Sequence, residues 1–146
     1  MKNLHLIVKE INDATQFINN QIYQRYNELL DENITSAQDL LLTIIDTNKN
    51  LTIREIADKL EITPSAASQQ VSKLEEMNYL KREINEKNRR EILVSLAIKG
   101  AEYIKKQEKI DLIITEKLYA KLGEEKLTQF RDILLDLKQI TIDTMK

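Results

Sequence analysis

Apolar residues recur every three or four positions through the first 30 residues of the chain. This period places them on one stripe and predicts an amphipathic helix from Leu4 to Leu30, which ends where the run 31–34 breaks the pattern. Such a helix is longer than the core of a 146-residue chain needs, and we expect it to pack against a partner chain. The stripe consists of Leu4, Ile7, Ile11, Ala14, Ile18, Ile22, Tyr26 and Leu29.

Two capping boxes mark the starts of the next two helices. In this motif a Thr hydroxyl accepts the backbone N–H three residues later, and the side chain at that later position accepts the N–H of the Thr. Thr35 with Gln38 begins one helix, and Thr52 with Glu55 begins the other. The expected inward positions are Leu40, Leu41, Ile44 and Ile45 in the first helix, and Ile53, Ile56, Ala57 and Leu60 in the second.

Another helix follows after only three residues, 61–63. Thr63 can cap its first turn, and Pro64 occupies the first helical position, where a missing N–H costs nothing. The helix is predicted to reach about Met77, and Asn78 is predicted to end it, because Asn tolerates the left-handed conformation found after helices. Its inward positions are Ala67, Val71 and Leu74.

Leu80, Arg82 and Ile84 then alternate with the residues between them, and so do Ile92, Val94 and Leu96, which predicts a β-hairpin of strands 79–84 and 91–96. The helical period returns at Ala97, and one helix is expected to run to about Leu122. Gly123 interrupts it, and a last helix covers 124–145. The predicted fold class is therefore mainly α with a small β-hairpin, in one domain of residues 1–146.

Composition excludes several kinds of chemistry. Cysteine is absent and His5 is the single histidine, so we expect no metal site built on thiolates or several imidazoles. The sequence has no usefully spaced pair of carboxylates, no glycine-rich phosphate loop and no nucleophile elbow. We therefore expect that the protein has no catalytic residues and no cofactor, and that it is not an enzyme. Without a long apolar run or a signal-peptide core, a cytoplasmic protein with no membrane partner is expected.

Charge is distributed unevenly along the chain. The net charge is −2, yet Lys81–Arg90 contains five basic residues and two acidic ones, a local charge of +3. This segment includes the loop of the predicted hairpin. A basic loop on an acidic protein favours a polyanionic partner, because binding depends on the local charge more than on the total.

Two short helices joined by a three-residue turn and followed by a basic hairpin form the plan of a winged helix-turn-helix, which binds double-stranded DNA. The second of these helices, the recognition helix, carries side chains that fit a major groove: Gln69 matches an adenine edge, and Lys73 a guanine or a phosphate. Ser65 and Ser68 lie near its start, where phosphates bind. The predicted DNA contacts are Ser65, Ala66, Ser68, Gln69, Ser72 and Lys73 in this helix, and Lys87, Arg89 and Arg90 in the wing.

Each signal taken alone has a simpler interpretation. Polar outer faces of helices are normally solvated, and basic loops are normally surface turns. Their combination favours DNA binding. The alternative is a winged-helix protein-interaction module that does not bind DNA, although such modules lack a basic wing.

Residues 51–100 resemble the MarR family (multiple-antibiotic-resistance regulators). The run LTIREIADKLEITPSAASQQVSKLEEMNYLKR is similar to the helix-turn-helix of the family, and NRREILVSLAIKG to its wing signature, D-x-R followed by L-T-x-x-G. The flanking helices match in order and length, so the resemblance covers the whole chain.

Three positions depart from the family pattern. Asn88 replaces the wing aspartate, so the ion pair that braces the matching arginine, Arg90, is expected to weaken to a hydrogen bond. Ala97 replaces the threonine that caps the next helix, so we expect Ser95 or water to compensate, or a frayed start. Gln69 stands where a basic residue is common, which alters the expected operator rather than DNA binding itself.

The resemblance implies a homodimeric repressor. Residues 1–34 and 97–146 would form dimerisation helices around a DNA-binding lobe, 35–96, and two recognition helices roughly 34 Å apart would bind a palindromic operator. The resemblance also implies release from DNA by a small organic anion, bound in a crevice between the dimer helices and the lobe. Tyr23, Arg25 and Tyr26 are candidate crevice residues, and Thr35 and Ser36, at a helix start, are candidate contacts to the DNA backbone.

Overall fold

The computed structural model describes residues 2–30 and 32–145. Their contacts group residues 1–108 into one compact unit and residues 109–146 into a second. Asp31, where the break after the first helix was predicted to begin, lies outside the described residues. The elements are α1 (Lys2–Leu30), α2 (Ser36–Asn48), β1 (Leu51–Thr52), α3 (Ile53–Leu60), α4 (Pro64–Glu76), β2 (Leu80–Ile84), β3 (Ile92–Leu96), α5 (Ile98–Lys117), a 3-10 turn (Tyr119–Leu122) and α6 (Glu124–Thr144).

The core of the first unit lies between α2, α3, α4, the sheet and the first half of α5. The prediction for α2 was wrong at one position, since Leu40 is 52% exposed and Leu42 is fully buried. The buried residues of α2 are Leu41, Leu42 and Ile45. The inward stripe is therefore rotated toward Leu42 relative to the prediction. The remaining core residues include Ile56, Ala57, Ala67, Val71, Leu74, Leu80, Val94, Tyr103 and Ile104.

The predicted helix starts are confirmed. Thr35 and Gln38 form a complete capping box at α2, and Thr52 and Glu55 form another at α3. The hydrogen bonds that Glu55 accepts from Thr52, backbone N–H first, hold the pKa of its carboxyl below the usual value. At α4 the Thr63 hydroxyl accepts the N–H of Ala66 at 3.1 Å, directly before Pro64.

The predicted hairpin is present, but it is part of a larger sheet. Three antiparallel strands lie in the order β1-β3-β2, and β1 pairs Leu51 with Val94. In the hairpin, Leu80 pairs with Leu96 and Arg82 with Val94. The short β1 escaped prediction because two residues are too few to show an alternating pattern.

Ser95 does not supply the compensation expected for Ala97 at the start of α5. Among the described residues, the Ser95 hydroxyl is buried without a hydrogen-bond partner, so it caps nothing. The helix is regular from Ile98 nevertheless, because the Ala97 carbonyl accepts the N–H of Ala101 at 2.9 Å. The Ala97 N–H donates to the Tyr79 carbonyl at 2.9 Å, which anchors the helix start to the residue that precedes β2.

The second unit contains the end of α5, the 3-10 turn and α6. The predicted helix to Leu122 ends earlier, at Lys117, and continues as the 3-10 turn, while Gly123 has the predicted role of an interruption with φ 84°. No side chain of α6 is buried. Its large exposed apolar residues are Phe130, Ile133, Leu134, Leu135, Leu137, Ile140 and Ile142.

Within the described part of the chain, no helix combines the length and the apolar character that a membrane span requires.

Gly100 lets α5 approach the chain before β2. A Cβ atom at this position would lie 2.1 Å from the Tyr79 carbonyl oxygen, closer than any real contact. Gly100→Ala should therefore lower the free energy of unfolding by about 1–3 kcal/mol. In an open helix position the same change would raise it by about 1 kcal/mol.

Urea unfolding at one fixed protein concentration measures this effect. Lys105→Ala, an exposed position of the same helix, is the control and should stay within about 0.5 kcal/mol of the wild type. An unchanged or higher midpoint for Gly100→Ala would contradict the proposed close contact.

Candidate nucleic-acid interface

The helix-turn-helix consists of α3, residues 61–63 and α4. Glu61 ends α3 in the left-handed conformation, with φ 54°, and its N–H donates to the carbonyls of α3. The left-handed residue turns the chain sharply, so that only three residues separate the end of α3 from the start of α4. Ala57 is buried in α3, and its small side chain permits a close approach of α4.

The buried stripe of α4 determines which of its residues face outward. Ala67, Val71 and Leu74 are buried, so the opposite face of the helix is open. Ser65, Gln69 and Lys73 are exposed there, spaced four residues apart, and Ala66 is half-buried. The structure therefore brings these predicted contacts together on one accessible face.

Ser68 and Ser72 lie on the flank of α4 that faces β2, and both are half-buried. Their hydroxyl oxygens each accept a hydrogen bond from Nη2 of Arg82 at 3.2 Å. The same nitrogen donates to the Ser68 carbonyl, and Nη1 of Arg82 forms an ion pair with Glu75. A single guanidinium thus joins β2 to three residues of α4.

Arg82 and Glu75 are not among the predicted site residues. The signal that could have found Arg82 is its place in the alternation of β2, on the same side as Leu80. Leu80 is buried, so a basic residue two positions later faces the protein and needs partners there. The identity of those partners depends on how α4 crosses the sheet.

The wing loop between β2 and β3 is closed by hydrogen bonds from two asparagines. The Asn85 amide donates to Glu91 at 3.0 Å, and the Asn85 side-chain oxygen accepts the N–H of Lys87 at 3.0 Å. Asn88 accepts the backbone N–H of Arg90 at 3.3 Å. The hydrogen bond expected between Asn88 and Arg90 therefore exists, but it reaches the backbone and leaves the guanidinium untouched.

The positive charges of the wing differ in how they are compensated. Lys81 forms an ion pair with Glu83 at 2.6 Å, and Arg82 pairs with Glu75. In residues 2–30 and 32–145, no ion pair involves the three predicted wing contacts, and all three are exposed. These free cations, available to an external polyanion, are Lys87, Arg89 and Arg90.

A pocket lies in the first unit, between α1, the start of α2 and α5. It has a volume of about 110 Å³. Tyr23 and Tyr26, both predicted crevice residues, line it, but Arg25 does not and instead pairs with Glu28 at 3.1 Å. The other lining residues are Asn27, Leu30, Glu32, Ile34, Ser36, Asp39 and Tyr103.

Two carboxylates give this pocket an acidic wall. The Tyr103 hydroxyl donates to Asp39 at 2.8 Å, and Gln107 donates to the same carboxylate. The Tyr79 hydroxyl donates to Glu32, which lies 3.7 Å from the Lys106 ammonium group. Burial, followed by the hydrogen bond to Asp39, raises the pKa of Tyr103, so this phenol remains a neutral donor.

Thr35 and Ser36 both make local contacts at the start of α2. The Thr35 hydroxyl accepts the N–H of Gln38 at 3.2 Å, and Ser36 lies in the pocket wall. Hydrogen bonds from Asn27 and Ser36 lower the pKa of Tyr23. Ser36 therefore borders the pocket from the first turn of α2.

The fold and the site together define a winged helix-turn-helix protein. Residues 34–92 match the sequence model of the MarR family. The chain is 30% identical over 101 residues to the HTH-type transcriptional repressor MdtR of Bacillus subtilis (strain 168). The match covers 68% of this chain and 65% of MdtR, so it spans just under two thirds of that relative. The chain is therefore similar to the MarR family over its helix-turn-helix and wing.

Two solved structures share the fold. One is Streptococcus pneumoniae FabT in complex with DNA, with a TM-score of 0.77 and 20% identity, over 94% of this chain and 99% of FabT. The other is Staphylococcus aureus MepR bound to ethidium bromide, with a TM-score of 0.73 and 20% identity, over 92% of this chain and 96% of MepR.

Proposed function

We propose that this protein is a sequence-specific DNA-binding transcriptional regulator that represses a palindromic operator. The observation that carries the proposal is the open face of α4 beside three exposed wing cations without ion-pair partners in the described part of the chain. The α4 face fits a major groove, and a wing arginine fits the narrow minor groove of A·T-rich DNA. Thr35 and Ser36, at the start of α2, are proposed as further contacts to the DNA backbone.

The relatives support this assignment. MdtR is described as a transcriptional repressor, and FabT was solved with DNA. Both descriptions agree with a regulatory role of this protein and not with a catalytic one. The alternative, a winged-helix module that binds only proteins, would give the free wing cations no role.

We further propose that the protein is a homodimer formed through residues 1–34 and 97–146. Considered within its own unit, α1 leaves large apolar residues such as Leu4, Ile11 and Phe17 exposed, and α6 does the same along most of its length. Contiguous apolar surface on this scale is rarely left to water. A second copy of the chain would cover it and supply the second recognition helix for a palindrome.

DNA binding is tested with a fluorescent duplex from the region upstream of the coding sequence. We expect affinity to fall with salt along a log–log slope of several units. Arg90→Ala should reduce that slope by about 1, and Gln69→Ala should cost about 1–3 kcal/mol and relax base preference. Lys105→Ala is the control for a distant surface charge. Absence of binding to any upstream fragment at low salt would overturn the proposal.

Dimerisation is tested by sedimentation equilibrium, where the wild type should show twice the 17.1 kDa mass of one chain. Ile133→Glu would bury an unpaired carboxylate in the interface and should raise the dissociation constant at least about 10-fold. Lys138→Glu, exposed on the same helix, should leave it nearly unchanged. A wild-type chain that sediments as a monomer at micromolar concentration would contradict the dimer.

We propose the pocket at Tyr23 and Tyr26 as the site of a small-molecule effector that relieves repression. The family resemblance favours an organic anion, but Glu32 and Asp39 line this pocket, and like charges repel. In the described residues, Asp39 accepts hydrogen bonds only from neutral donors. Carboxylates and tyrosine rings together suit an organic cation. MepR offers a parallel, since the ethidium in that structure is an organic cation.

Tetramethylammonium chloride is a probe of suitable size, and sodium pivalate is an anion of similar shape. At ten times its Kd, the cation should raise the Tm by about 3 °C relative to equal sodium chloride, while pivalate should not. Asp39→Asn should abolish this rise, and Asp58→Asn, an exposed change on α3, should retain it. A rise with pivalate alone would favour the anion instead.

A further inference from the structure

Arg82 holds the two serine hydroxyls on the flank of α4 in one hydrogen-bonding state. Its guanidinium has only donors, and it donates to Ser68 and Ser72 at 3.2 Å each. We infer that Arg82 is a positioning residue that leaves both hydroxyls as hydrogen-bond donors toward DNA, so that this flank of α4 recognises acceptor atoms. The inference rests on the proposed DNA-binding function.

The chemistry of the hydroxyl group supports this step. A serine oxygen has one O–H donor and two acceptor lone pairs, and the guanidinium occupies a lone pair. The O–H therefore needs an acceptor elsewhere. On α2, Thr43 and Thr47 donate to the carbonyls four residues earlier, at 3.0 and 2.9 Å. Among the described residues, neither serine makes such a bond.

The carbonyl that Ser72 could use in this way belongs to Ser68, and it already accepts from Arg82 at 3.2 Å. Both serines keep partial solvent access on the side of α4 that adjoins its exposed face. The free O–H groups can therefore point toward a bound duplex. There they would meet phosphate oxygens, purine N7, guanine O6 or thymine O4, all of which are acceptors.

Arg82 also compensates the charge of Glu75 on the same flank. The Glu75 side chain is 40% exposed, so its carboxylate borders the surface that would face DNA. Without a cation beside it, this carboxylate would repel phosphates. The ion pair removes that repulsion while the other guanidinium nitrogen holds the serines, so one side chain prepares the flank in two ways.

The test uses the full-length protein and a duplex that the wild type selects from a random pool. Single 7-deazapurines remove N7 acceptors, and single methylphosphonates remove charged phosphate oxygens. At two positions, one for each serine, the change that removes the contacted acceptor should weaken wild-type binding about 3- to 10-fold. Sensitivity to 7-deazapurine assigns the acceptor to a base, and sensitivity to methylphosphonate assigns it to the backbone.

Ser68→Ala and Ser72→Ala should each remove the sensitivity at one of these positions, whereas Ser65→Ala, which Arg82 does not touch, should leave both unchanged. Arg82→Met should reduce the sensitivity at both positions toward 1-fold, and Arg82→Lys should restore part of it. A purely structural role of Arg82 would weaken binding to all duplexes equally. Because the serine variants retain Arg82, a folding defect of the arginine variants does not decide the result.

Glu75 supplies the matched charge test. Arg82→Met should lose affinity at low salt, and adding Glu75→Gln should recover about 3-fold or more of it, while Glu75→Gln alone should not weaken binding. Unchanged sensitivities in the serine variants would overturn the inference while leaving DNA binding intact. Failure of the wild type to select any duplex would overturn the proposed function together with it.

Discussion

Burial of one side of α4 is the constraint on which the rest of the structure depends. Ala67, Val71 and Leu74 are fully enclosed, so the rotation of this helix about its axis is fixed. The opposite face is then open by necessity, and the intermediate flank meets β2. Without this burial, the spacing of Gln69 and Lys73 would define a helical stripe with no particular direction in the protein.

Tyr79 connects the candidate DNA interface with the pocket. It follows Asn78, whose φ of 64° ends α4, and its carbonyl accepts the N–H of Ala97 and contacts Gly100. Its hydroxyl donates to Glu32, and its ring packs edge-on against Tyr103 with centroids 5.9 Å apart. The end of the recognition helix and two walls of the pocket therefore share one buried side chain.

The pairing of charges separates structural from available cations. Lys81 pairs with Glu83 on the same strand, and Arg82 pairs with Glu75 on α4. The cations at the tip of the wing have no carboxylate partner within the described residues. An acidic chain can thus present a local positive surface without a basic composition. In the pocket the charge has the opposite sign, and this difference separates the two classes of partner proposed for the two sites.

The sequence by itself determined the features that depend on neighbouring residues. The capping boxes at Thr35 and Thr52, the Thr63–Pro64 start and the left-handed Asn78 are local, because each involves groups within a few positions along the chain. The open face of α4 also followed from its apolar period. These features suffice for the winged helix-turn-helix and for most residues of its exposed surface.

Only the tertiary structure decided which distant groups meet. It placed Leu42 rather than Leu40 in the core, added β1 to the sheet, directed Arg82 onto Ser68 and Ser72, and gave the pocket acidic walls in place of Arg25. Each of these outcomes depends on how elements cross in space. Residue spacing along one helix or strand contains no information about that crossing.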